Sequence, residues 1–185
     1  VYTRYMINTG NQKQDANSPF AQEVQSNVAK LLSKENISIH RPFQYKTASF
    51  DIQNRELRMP IFKDVPRDVY DLFIGHEIGH ARWTRMEDFE SFVSKFNNKF
   101  LYNVLEDIRI EKLSQSTYPG LIQCFKRGYT HLFENKFFGD NTQEYIDGLN
   151  LLDRINLVAK LGKSRVNPQF SEEEAILLEE ALKIK

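Results

Sequence analysis

Two histidines four residues apart enclose a glutamate in the run His76-Glu77-Ile78-Gly79-His80, and this spacing has the clearest chemical content in the sequence. On a helix, positions i and i+4 lie one turn apart on the same face, so both imidazoles can reach one zinc ion. Glu77 is rotated by about 100° from His76. From there a carboxylate can take a proton from water attacking a carbonyl and later deliver one to a leaving amine. The other two histidines are His40 and His131. A pair at this spacing, flanking a glutamate that would otherwise be uncompensated among apolar neighbours, is hard to account for as packing alone.

A catalytic zinc site takes three protein ligands and leaves one position open. The third ligand is sought in Asn103-Val104-Leu105-Glu106-Asp107-Ile108-Arg109-Ile110-Glu111. If 98–114 is one helix, Leu101, Val104, Leu105 and Ile108 form one apolar stripe, while Tyr102, Ile110 and Leu113 form another on roughly the opposite side. Glu106 falls in the second stripe, where a buried carboxylate needs a cation, so it is the expected ligand. Arg109, three residues on, offers the competing account, an ion pair along the helix. Asp107, adjacent but turned toward the polar side, is the runner-up ligand or an acceptor for a histidine N–H. Tyr118 and His131 are candidate donors to a developing oxyanion.

The surrounding elements must hold these groups. After an opening read as a short strand, Ser18-Pro19 starts a helix reaching about Lys34. The runs 37–46, 48–53 and 56–62 alternate like strands of a small sheet, with Gln53-Asn54-Arg55 as a hairpin turn. Arg55, Glu56, Leu57, Arg58 and Met59 are nominated as the edge strand that holds a substrate peptide. Asp64 is expected to cap the motif helix, with Pro66 in its first turn and an end near Thr84. Gly75 and Gly79 could let a neighbour approach that helix closely. Further helices are expected over about 88–96, 98–114, 121–138, 145–161 and 175–182, with Ser171 and Glu174 as a capping box before the last. The Phe89-Phe92-Phe96 series is read as packing. The result is an α+β fold, mostly helical, with a small antiparallel or mixed sheet before the motif helix. One domain over 1–185 is expected, with a sheet-containing part to about 64, motif and ligand helices over 65–114 and C-terminal helices over 121–185.

Composition narrows the classes further. The 25 acidic and 25 basic residues cancel, and the pI near 7.1 gives no electrostatic footprint for nucleic acid or an anionic membrane. The single cysteine, Cys124, permits no internal disulfide and no cysteine metal cage. No apolar run approaches the roughly 18–20 residues of a membrane span, and Val1 to Gly10 lack a signal-peptide pattern. A soluble cytoplasmic protein is expected.

His76 to His80, followed 26 residues after His80 by a helix-borne Glu106, resembles the gluzincin metallopeptidases. Leu105 to Gly120, LEDIRIEKLSQSTYPG, is similar to a segment of the CobT-like, von Willebrand A-associated proteins related to cobalt chelatase, some of them phage-encoded. The similarity is strongest over about Asp71 to Gly120. It implies one zinc per chain on His76, His80 and Glu106, with Glu77 as general base and Arg109 and Glu111 in supporting roles. It implies a metallopeptidase acting on a peptide or protein. The alternative it carries is a non-catalytic scaffold that keeps the zinc site and partners a von Willebrand A domain or an AAA-type ATPase.

Overall fold

The computed structural model describes residues 18–41, 47–61 and 65–184. The expected opening strand and the Asp64 cap lie outside these residues. Helix α1, Pro19–Ser33, begins where Ser18 accepts a hydrogen bond from the Ala21 N–H, and Lys34 ends it in the left-handed region at φ 59°. Three short strands follow: β1 (Ser38–His40), β2 (Ser49–Asp51) and β3 (Glu56–Arg58). They lie in the order β1-β3-β2, β1 parallel and β2 antiparallel to β3. Asp51 shapes the β2–β3 turn by accepting from the Gln53 and Asn54 N–H groups.

This order corrects the substrate-strand expectation. The segment Arg55 to Met59 contains the central strand, hydrogen-bonded on both sides, so it cannot accept a peptide. Its alternation sends Leu57 and Met59 fully inward, and among the described residues β1 and β2 are the edges.

Helix α2, Arg67–Trp83, carries the motif. Pro66 is its N-cap and not a first-turn residue, and it provides no side-chain hydrogen bond. Val69, Tyr70, Leu72, Ile74, Ile78 and Ala81 bury the rest of α2 against α1, the sheet and α5 (Leu121–Glu134). The chain continues through α3 (Met86–Phe96), which has no buried residue, into α4 (Lys99–Thr117), whose N-cap Asn98 accepts from the Leu101 N–H. The helix expected over 145–161 is two, α6 (Gln143–Asp147) and α7 (Leu151–Leu161). Gly148 ends the first, and Asn150 caps the second by accepting from the Asp153 N–H. Likewise α5 stops at Glu134, short of Phe138, with Lys136 at φ 58°. The capping box of Ser171 and Glu174 opens α8, Glu172–Lys183.

The architecture is therefore a mostly helical α+β fold with a three-stranded mixed sheet. Two apolar clusters support it. One joins α1, the sheet, α2 and α5; the other joins Val104 and Ile108 of α4 to α6, α7 and α8. Phe138 and Leu161 touch both. At the seam, α2 and α4 pack so closely that a Cβ on Gly79 would lie 2.8 Å from Ile110 Cδ1 and 2.9 Å from Ser114 Oγ. Gly79→Ala should therefore lose about 1–3 kcal/mol through overpacking, although alanine is the better helix former by about 1 kcal/mol. Urea unfolding of the two proteins measures this, and an unchanged or raised midpoint would show that the seam can open.

Candidate metal centre

His76 and His80 project from one face of α2 with ring centroids 5.0 Å apart. Their Nε2 atoms lie 3.6 and 3.4 Å from one oxygen, Oδ1 of Asp107 on α4. Ligands about 2.0–2.1 Å from a tetrahedral zinc are separated by about 3.4 Å; the two distances to Asp107 match this, and one ligand atom from each of the three residues lies within 4.8 Å of the others. The side chains are 15%, 20% and 23% exposed, which keeps the cluster within reach of water.

The other ring nitrogens are occupied. His76 Nδ1 lies 2.8 Å from Glu111 Oε1, and His80 Nδ1 lies 2.9 Å from Thr84 Oγ1. With Nδ1–H donated in each case, Nε2 is the nitrogen left to face Asp107, the one that would bind a metal once its proton is lost. Thr84 passes its own proton to Glu106 Oε1 at 2.5 Å. Glu106 is then clasped by Arg109, with Nε to Oε2 at 2.8 Å and Nη2 to Oε1 at 2.7 Å, and the same Nη2 reaches the Trp83 carbonyl.

Glu106 is buried, as expected, but its counter-charge is Arg109. The carboxylate beside the imidazoles is Asp107, the runner-up, and Glu106 supports His80 through Thr84. Asp107 occupies a polar pocket of the α2–α4 seam, which apolar periodicity within one helix does not reveal.

The pocket includes a residue from the distant α7. Lys160 Nζ lies 3.3 Å from Asp107 Oδ2, 2.9 Å from Glu111 Oε1 and 3.1 Å from the Tyr129 hydroxyl. Tyr129 donates to Glu111. Lys160 and Thr84 went unrecognised in the sequence, though each left a signal. Lys160 is a lone cation in the apolar run Leu157-Val158-Ala159-Lys160-Leu161, and Thr84 is a hydroxyl four residues after His80. Tyr118 and His131 are engaged elsewhere. The Tyr118 hydroxyl accepts from Arg82 and donates to the Leu32 carbonyl, while His131 lines a separate cavity of about 380 Å³ with Pro66, Asp68 and Arg127.

Comparison of the chain with family models, curated proteins and solved structures finds no match. The reading of the site therefore rests on its geometry and charge.

Glu77 is buried between the motif helix and the sheet. Burial raises its proton affinity, His76 and His80 oppose the rise, and the Phe50 backbone N–H of edge strand β2 is hydrogen-bonded to it. Burial also acts against charged Lys160, but Glu111, Tyr129 and Asp107 outweigh it and hold the ammonium protonated well above the usual lysine range. For Asp107, Lys160 and His76 overcome the burial penalty and push the carboxyl far below its ordinary value. For His76, burial is overcome by Asp107, Glu111 and Glu77, which raise it from 6.5 to about 9.

A pKa raised in the folded state adds stability that is complete below the unfolded value and lost as pH rises through the folded one. The metal-free protein should thus lose on the order of 3 kcal/mol between pH about 6.5 and about 9. Urea unfolding across that range in the presence of a chelator tests it. His76→Gln should flatten the dependence, and an equally steep profile in that variant would assign it to another group.

Proposed function

We propose that this chain is a zinc-dependent hydrolase of peptide bonds, with His76, His80 and Asp107 as the metal-holding residues and Glu77 as the general base. The observation that carries the reading is the convergence of two Nε2 atoms, on rings held through Nδ1, and one carboxylate oxygen beside a buried glutamate. A zinc ion there would polarise a carbonyl and lower the pKa of water. Glu77 takes the proton from the attacking water, and its raised affinity keeps that proton available for the leaving nitrogen. Glu111 and the Thr84–Glu106–Arg109 relay hold the imidazoles in register. The substrate class is supported by β2, an edge strand running past Glu77, where an extended peptide can add as a further strand.

Elemental analysis should find about one zinc per chain, lost from His76→Ala, His80→Ala and Asp107→Ala. Glu106→Gln should keep the metal with affinity lowered by about 10–100-fold, as for an outer-shell partner. Metal lost on replacing Glu106 but retained on replacing Asp107 would overturn the ligand assignment. Glu77→Gln should retain zinc and abolish cleavage of a peptide library. Turnover equal to wild type would refute the base, whereas zinc with no cleavage by the wild type would favour a scaffold role.

A further inference from the structure

We infer that Lys160 is a positioning residue that restricts Asp107 to one oxygen toward the metal, an inference that rests on the metal-centre reading above. The two oxygens of Asp107 face opposite partners. Oδ1 lies 3.4 and 3.6 Å from the two Nε2 atoms, while Oδ2 lies 3.3 Å from the Lys160 ammonium. Carboxylates bind divalent ions through one oxygen or both. An oxygen that accepts a charge-assisted hydrogen bond must give it up before it can join the coordination sphere.

Lys160 is suited to this and to little else. Its side chain is 8% exposed. An ammonium has three N–H donors, and Asp107, Glu111 and the Tyr129 hydroxyl supply three acceptors. No donor is left over for a substrate. The neighbours of Lys160 on α7, Leu157 and Val158, are buried in the second apolar cluster, so the ammonium is carried on a fixed element. Limiting Asp107 to one oxygen keeps a position open for water, which separates a catalytic from a closed site.

The test is the visible spectrum of the cobalt(II)-substituted protein, because four-coordinate cobalt absorbs severalfold more strongly than five-coordinate cobalt. Wild type should give the strong four-coordinate spectrum. Lys160→Met and Lys160→Leu, which remove both the charge and the donor, should free Oδ2 to bind and shift the spectrum to the weaker five-coordinate form. Tyr129→Phe disturbs the same buried network but keeps the Lys160–Asp107 contact, so it should match wild type. If the methionine variant does not fold, the leucine variant and the wild-type spectrum carry the test. Wild-type-like spectra in the Lys160 variants, or a five-coordinate wild type, would overturn the role of Lys160 and leave the metal centre standing. Folded wild type that takes up no cobalt would remove the centre and this inference together.

Discussion

A buried carboxylate needs a cation or a set of donors beside it, and Glu106, Asp107 and Glu111 all meet that need at one seam, with Glu77 on the sheet side of α2. Each is met differently. Glu106 is clasped by Arg109, Glu111 gathers Tyr129, Lys160 and His76, and Asp107 divides its oxygens between Lys160 and the imidazoles. Glu77 has the Phe50 N–H and two neighbouring histidines. The close approach of α2 and α4 at Gly79 brings these groups together, and the chemistry assigned to the site follows from how their charges are shared.

Seen this way, the two histidines are not equivalent. At Nδ1, His76 faces a carboxylate directly, whereas His80 reaches one through a hydroxyl. Asp107 and this direct partner raise the basicity of the His76 ring, and the relay through Thr84 fixes the orientation of His80.

The part of the site carried by one helix was legible in the sequence. His76, Glu77 and His80 fall on one element, and the 3.6-residue repeat places them without tertiary information. The third member was not, because the choice between Glu106 and Asp107 depends on which side of α4 meets α2. The burial of Glu106 was anticipated, but the cation opposite it was read as a metal when Arg109 fills that place. Lys160 comes from 53 residues beyond Asp107, and no local pattern ties the two. The fold shows the same division. Ser18 and Ser171 mark helix starts through bonds to their own neighbours, whereas the central place of β3 results from a parallel partner 18 residues earlier. The β-alternation was visible; the pairing order was not.

The participation of α7 also governs when the pocket reaches the form described. Lys160 is made 53 residues after Asp107, and until α7 docks, Asp107 and Glu111 lack the ammonium that both contact. A growing chain therefore holds these two carboxylates without their shared cation. The finished pocket is thus a product of long-range docking, and local formation of the helices that carry its histidines and Asp107 does not complete it.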